Sequence, residues 1–282
     1  MERVAGIDVS RWQGRMDWTR VATAGYRFVV IRATIGDDYA DPRFHENWHG
    51  AQNAGLLVSA YHVVAPRVPA AKQIAFFFEV LGGRRADFPL VMDVEREDQT
   101  TREKITECVR ACLEDTESHD KRKPIIYTAR WFWDRCVLPA PEWHTYDLWV
   151  ASYTSTPILP RDWKSWRFWQ YSESGVVPGS GSRATDLNWF AGSYEELANY
   201  GGRKEEPEAE DIESAEPWRI RVLDKINVRS GPGTSFARLG SIYPGEVIEA
   251  RTLTGSDVWI EFEPGKWAAF AHRGETYMKL EK

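Results

Sequence analysis

Cysteine is scarce: the 282-residue chain holds three, Cys108, Cys112 and Cys136. An odd, small number cannot build a disulfide framework. Cys108 and Cys112 stand one helical turn apart, which suits neighbouring buried thiols better than a bridge, and no further ligands lie at metal-site spacing. Long apolar runs are also missing. No stretch approaches the ~18–20 residues needed to span a bilayer, so no membrane partner is expected. There is no excess of positive charge either. Thirty-six Lys and Arg against 42 Asp and Glu leave a net charge of −6, which argues against nucleic acid, since phosphate binding needs a basic surface. No Gly-rich phosphate loop and no Ser/His/Asp arrangement stands out, and nothing calls for a cofactor or metal. The opening, Met1-Glu-Arg-Val-Ala-Gly-Ile-Asp8, runs directly into structured sequence, without the pattern of an export signal.

What the chain has in quantity is aromatic residues: 14 Trp, 11 Tyr and 12 Phe. Flat apolar ring faces can fill cores or stack on sugar rings. The length suits two unequal domains. The boundary between them is legible at Gly201-Gly-Arg-Lys-Glu-Glu-Pro-Glu-Ala-Glu-Asp-Ile-Glu-Ser-Ala-Glu-Pro217, an acidic segment with two prolines and almost nothing to bury. The expected organisation is therefore residues 1–200 as one domain, 201–217 as linker and 218–282 as a second domain.

Before the linker, short β-rich runs alternate with helical patterns. Gly6–Val9, Phe28–Ile31, Leu57–Tyr61, Leu90–Val94, Pro124–Tyr127, Leu148–Ala151 and Phe168–Tyr171 read as strands. Helices are expected over Asp41 to Ala54, Pro69 to Leu81 and Thr101 to Ser118; in the last, Ile105, Val109, Cys112 and Leu113 recur at helical spacing. Alternating strands and helices imply a mostly parallel sheet, and seven or eight strands in ~200 residues imply a barrel. The later connections are short and Trp-rich, so an irregular, incomplete α/β barrel is expected. After the linker, tight turns at Gly231-Pro-Gly233 and Tyr243-Pro-Gly245 separate runs such as Val247–Ala250 and Val258–Glu261, the texture of a small all-β barrel.

Functional groups of a parallel barrel collect at the C-terminal strand ends. The acids found there are Asp8, Asp93, Glu95 and Asp186. Strand side chains alternate faces, so Asp93 and Glu95 point the same way, with Cα atoms ~6–7 Å apart from two residues of rise. Two such carboxyls beside Val91 and Met92 do not both ionise easily, and one acquires the raised pKa of a general acid. Burying both without purpose is costly. Glycosidic cleavage needs this combination: one proton donor, and one carboxylate for the developing oxocarbenium. The ~6–7 Å spacing lies between the ~5 Å of retaining and the ~6.5–9.5 Å of inverting enzymes, and leaves the stereochemistry open.

Gly6-Ile-Asp-Val-Ser10, Ser59-Ala-Tyr-His62, Met92-Asp-Val-Glu95, Leu148-Trp-Val-Ala-Ser-Tyr153, Trp169-Gln-Tyr171 and Asp186-Leu-Asn188 resemble, in order and spacing, the glycoside hydrolase family 25 lysozymes, or Chalaropsis-type muramidases. The resemblance covers about residues 3–200. It implies a barrel of five β/α units with irregular later strands, and hydrolysis of the β-1,4 bond between N-acetylmuramic acid and N-acetylglucosamine. It also implies Glu95 as general acid, Asp93 as its carboxylate partner, and Asp8 and Asp186 as flanking acids that bind substrate. Tyr61 matches the family's active-site tyrosine. Val63-Val64, where the family often has an aromatic, and Pro66-Arg-Val-Pro69 depart from the pattern without touching a carboxylate. Trp149 and Trp169 are expected to line a sugar cleft, as is Trp12; Trp131, Trp133, Trp143, Trp163 and Trp166 read as packing or surface. His62 reads as a hydrogen-bonded structural residue, and Asp37, Asp38 and Asp41 as an exposed acidic loop.

Ile226-Asn-Val-Arg-Ser-Gly-Pro-Gly-Thr234 resembles the opening signature of bacterial SH3-like domains, which implies binding to bacterial peptidoglycan and tethering of the catalytic domain there. Trp259, Trp267, Phe270 and Tyr277 are candidates for its ligand groove or its core. The expected partner is thus the bacterial cell wall and the expected state a monomer. The chain is expected to act outside the cell or to be delivered to the wall, as a phage endolysin released by other means or as a trimmed secreted enzyme. Two alternatives compete: a catalytically silent glycan-binding barrel, against which the intact Asp93–Glu95 pair speaks, and a hydrolase of another N-acetylated glycan such as chitin.

Overall fold

The computed structural model describes residues 2–202, 218–231, 236–250, 252–254, 259–263, 266–272 and 275–280. Of the expected linker, only Gly201 and Gly202 fall within these residues; Pro232, Gly233, Thr234 and Val258 also lie outside them. The chain divides into two compact units, Met1–Glu205 and Glu206–Lys282.

The first unit is a mixed α/β fold built on a closed barrel. Its strands are β1 (Arg3–Val9), β2 (Phe28–Ile35), β3 (Tyr39–Ala40), β4 (Leu57–Val63), β5 (Val91–Asp93), β6 (Ile125–Ala129), β7 (Leu148–Ala151), β8 (Phe168–Gly175) and β9 (Thr185–Ala191). The pairing order β1-β9-β8-β7-β6-β5-β4-β2 returns to β1 through a β1–β2 ladder, which closes eight strands into a ring; β3 only folds back on β2 as a hairpin. Neighbours from β1 through β8 run parallel, whereas β9 is antiparallel to both β8 and β1. The helices are α1 (Trp18–Thr23), α2 (Phe44–Asn53), α3 (Ala70–Leu81), α4 (Arg102–Asp120), α5 (Arg130–Cys136) and α6 (Tyr194–Ala198). The three long helices match expectation. Thr101 caps α4 by accepting from the Lys104 amide, and Gly82 ends α3 in the left-handed conformation, φ 58°. The short α1, α5 and α6 were not expected: one or two turns display too little of a 3.6-residue period to be read.

The parallel strands β2, β4, β5 and β7 bury both faces, which explains their near-continuous apolar runs. Outward residues such as Ile7, Ile31, Val58, Met92, Ile126 and Val150 pack with Ile74, Phe77, Ile105, Val109 and Leu113 of the helices. Inward residues Val4, Phe28, Val30, Leu57, Val91, Ile125, Phe168 and Phe190 plug the barrel. Phe28 meets Phe88 and Phe168 edge-on, at centroid distances of 5.9 and 5.5 Å. Gly6 is required at that level, because a Cβ there would stand 2.4 Å from the Phe28 ring. One inward step further along β1, above this plug, comes Asp8.

The described residues of the second unit form only antiparallel pairs, among Trp218–Val222, Ile226–Arg229, Arg238–Ile242, Val247–Ala250, Thr252–Thr254, Trp259–Glu263, Lys266–Ala269 and Met278–Leu280, with a further small pair at Ala271–His272 and Glu275–Thr276. Ile220, Val222, Ile226, Val228, Ile242, Ile260, Ala268 and Met278 make its core, and half-buried Phe270 and Tyr277 pack against it. The Tyr243-Pro-Gly245 turn is present, with Gly245 at φ 93° and the Glu246 amide donating to the Tyr243 carbonyl.

Candidate active site

At the C-terminal mouth the inward positions change from apolar to polar. A cavity of about 230 Å³ opens there, lined by Asp8, Tyr61, Asp93, Glu95, Tyr127, Trp149, Tyr153, Gln170, Glu173 and Asp186. Six of the eight residues proposed from the sequence therefore meet at one place; Trp12, which is 68% exposed, and Trp169 are not among its walls. Asp8, Tyr61 and Asp93 arrive on β1, β4 and β5, and Glu95 follows just beyond β5, whose strand pairing ends at Asp93. Asp186 arrives by a different route from the one expected. It is the second residue of β9, in register with Asp8; because β9 runs backwards, its beginning reaches the mouth that the other strands reach at their ends.

Trp169 is the correction. It stands between the inward residues Phe168 and Gln170, so the two-residue period of the strand turns it outward. Its ring packs against Trp166 and Tyr171, and its indole N–H donates to the Ser152 carbonyl, away from the cavity walls. The same parity carries Gln170, Asn188, Tyr127 and Tyr153 into the site, none of which was singled out from the sequence. Gln170 and Asn188 do lie inside motifs that were noticed, one residue after Trp169 and two after Asp186. Alternation would have found them.

These residues form one hydrogen-bonded network that converges on Asp8. Trp149 Nε1 can only donate, and it donates to Asn188 Oδ1 at 2.8 Å, so Asn188 turns its Nδ2 to Asp8 Oδ2, also at 2.8 Å. Tyr127 and Tyr153 donate to Gln170 Oε1 at 3.0 and 2.7 Å, and Gln170 Nε2 donates to the same Asp8 oxygen at 2.9 Å. Asp186 adds a carboxyl hydrogen bond to Asp8.

Five carboxyl groups line this cavity, with no Lys or Arg among its walls. Four of them, Asp8, Asp93, Glu95 and Asp186, have raised pKa values, because burial and neighbouring like charge disfavour the ionised form. Burial, then the charges of Glu95 and Asp8, hold Asp93 well above the usual carboxylate range, only partly offset by Arg32 and Arg96. Its Oδ1 is buried without a hydrogen-bond partner. Glu95 is exposed at its outer edge, yet the cleft walls and the Asp8 charge raise its pKa, with Arg96 opposing. Burial and the Asp8 charge push Asp186 up to about 9, so at neutral pH it keeps its proton and donates it towards Asp8. Asp8 is itself raised by burial, against the lowering effect of its donors Asn188, Gln170 and Asp186.

His62 belongs to the scaffold. It points outward from β4, where Gln73 Oε1 already accepts from the Ala65 amide; His62 Nε2–H donates to that oxygen at 2.9 Å, and Nδ1 accepts from Thr34 Oγ1 at 2.7 Å. Burial lowers its pKa to about 4, so it stays neutral. The expected acidic loop is only half exposed. Asp37 and Asp38 face water, but Asp41 is buried and paired with Arg32 Nη2 at 2.8 Å. All three cysteines are buried free thiols, with Cys108 and Cys112 sulfurs 4.0 Å apart.

Comparison with known proteins agrees with this geometry. Residues 7–180 match the family model described as glycosyl hydrolases family 25. Lysozyme M1 of Streptomyces globisporus is 35% identical over 205 residues, covering 67% of this chain and 68% of that protein. An uncharacterised protein of Escherichia coli K12, YegX, is 38% identical over 210 residues, covering 72% of this chain and 76% of its own. The crystal structure of the bacterial lysozyme from Streptomyces coelicolor superposes with a TM-score of 0.64 at 31% identity, covering 70% of this chain and 96% of that one. The chain belongs to glycosyl hydrolase family 25, the family of lysozymes and muramidases.

Proposed function

We propose that the protein hydrolyses the β-1,4 bond between N-acetylmuramic acid and N-acetylglucosamine in bacterial peptidoglycan, with Glu95 as general acid and Asp93 as its carboxylate partner. One observation carries this reading: Asp93, with an unpartnered buried oxygen, and Glu95, with a raised pKa and an accessible edge, share one cavity at the barrel mouth. Glu95 holds its proton above the ordinary carboxylate range and sits where that proton can be exchanged with water. It donates to the bridging oxygen as the muramyl C1–O bond breaks. Positive charge then develops on the muramyl ring, which the five-carboxyl cavity favours. In the resting site the Asp93 anion is costly; opposite an oxocarbenium it is stabilised, so the attraction grows towards the transition state. One water completes the reaction and its proton returns to Glu95.

The Asp8 network supports this arrangement by fixing Trp149, Gln170, Tyr127 and Tyr153 around the sugar site. For the remainder of the chain we propose the organisation 1–200, 201–217 and 218–282, the last an SH3-like domain that binds peptidoglycan and raises the local concentration of substrate at the cleft. Action is then at the cell wall, by a monomer. The test is the chemistry of the new ends after digestion of purified peptidoglycan. Muramic acid at the reducing ends supports the assignment; glucosamine there would transfer the cleavage to the other bond of the repeat.

A further inference from the structure

Beyond the carboxylate cavity the mouth continues into a larger recess of about 720 Å³, within the ~300–1,000 Å³ range of ligand pockets. The two share Glu95, Tyr127, Tyr153 and Glu173. Beside Arg130, Asp134 and Ser152, the additional walls are apolar: Ala129 at the end of β6, Trp131 in α5, Ala151 at the end of β7 and Ile158 beyond it. Trp131 is 65% exposed and Ile158 47%. Such apolar area facing water is costly unless a ligand covers it. Trp131 is nevertheless held in place. Phe132 meets it edge-on at 5.9 Å, and the Arg135 guanidinium lies 5.8 Å from its ring centre. Arg135 in turn pairs with Glu97, two residues beyond Glu95. The platform and the loop bearing the acid are thus tied together.

We propose that this groove binds the leaving-group side of the glycan, with the apolar face of the departing N-acetylglucosamine stacked on Trp131 and its edge against Ile158. The proposal rests on the reading of Glu95 as general acid. An acid must reach the bridging oxygen, which leaves with the departing sugar, so that sugar lies on the far side of Glu95 from Asp93 and Asp8. The charges divide accordingly. The cationic ring is favoured among five carboxyls, whereas the groove keeps only Glu95 and Glu173 of these and adds Arg130 and Asp134, which pair with each other. A neutral sugar with one apolar face suits it.

The test uses the full chain, as wild type, Trp131→Ala and Trp131→Phe, on solubilised glycan strands. The alanine variant is expected to lose about tenfold in kcat/KM, the equivalent of ~1.4 kcal/mol. The phenylalanine variant is expected to recover most of this, and the pH profile to stay in place, since no titrating group is altered. Equal kcat/KM for wild type and Trp131→Ala overturns the proposal while leaving the catalytic reading intact. If wild type cleaves nothing, the catalytic reading fails and the groove is judged by calorimetric binding of a GlcNAc–MurNAc tetrasaccharide. Weaker binding by Trp131→Ala retains the groove as a glycan site, and equal binding removes it.

Discussion

Replacing Asp186 by Asn should stabilise the protein, and the gain should depend on pH in a specified way. In the folded chain the Asp186 carboxyl is held at about 9, against an ordinary 3.8. Between those values the native state binds a proton that the unfolded state has lost, so native stability falls as pH rises across that window. At pH 7, about three pH units above the unfolded value, the cost is roughly 4 kcal/mol at about 1.4 kcal/mol per unit. Asn does not titrate and still offers an N–H to Asp8, so the hydrogen bond survives and the cost disappears. Urea denaturation followed by tryptophan fluorescence at pH 5, 6 and 7 measures the difference. Asp186→Asn should exceed wild type by up to about 4 kcal/mol at pH 7, shrinking by about 1.4 per unit towards pH 4. A variant no more stable than wild type at pH 7, or a gain independent of pH, would show that Asp186 is ionised in the native site and refute the shared-proton picture.

Three further expectations follow from the same electrostatics. As the proposed general acid, Glu95 has to carry its proton to act, so activity should fall as pH rises through its raised pKa; Asp8→Asn removes a charge that raises it and should move this alkaline limb to lower pH, and an unmoved limb in pH–rate profiles would exclude the coupling. His62, lowered to about 4 from 6.5, should destabilise wild type by up to about 3 kcal/mol as pH falls from 6.5 to 4, because the unfolded state binds the proton first; this acid-sensitive component should be absent in His62→Gln when the two are unfolded across that range. His62→Ala, which strands Thr34 and Gln73 in the core, should cost roughly 1–3 kcal/mol in denaturant titrations without moving the pH–rate profile, whereas a moved profile would give His62 a part in catalysis.

The barrel was legible because a parallel strand with both faces buried writes an apolar run, and such runs recur between helical periods at Phe28, Leu57, Leu90 and Leu148. The acids were legible because a carboxyl at the end of an apolar strand is expensive and therefore conspicuous. Two kinds of information escaped. Direction along a strand is invisible in a short segment, so Asp186 could be assigned to the mouth but not to a reversed β9 that delivers it at its start. Facing is visible only if alternation is applied strictly. It would have sent Trp169 outward to Trp166 and brought Gln170 inward to Asp8, but a tryptophan beside a motif attracts a sugar-binding reading that its neutral neighbour does not. The amides Gln170 and Asn188 acquire meaning only from the donors arranged around them, Trp149, Tyr127 and Tyr153, which lie between 17 and 43 positions away in the chain.

The central claim is that Glu95 supplies the proton that breaks a muramyl bond. It is tested most directly by digesting purified peptidoglycan with wild type and with Glu95→Gln, both shown folded by near-ultraviolet circular dichroism, and counting new muramic acid reducing ends. Loss of about 10²–10⁴-fold in the rate for the glutamine variant, the span of general-acid catalysis, is the predicted result. Comparable release by both proteins would contradict it.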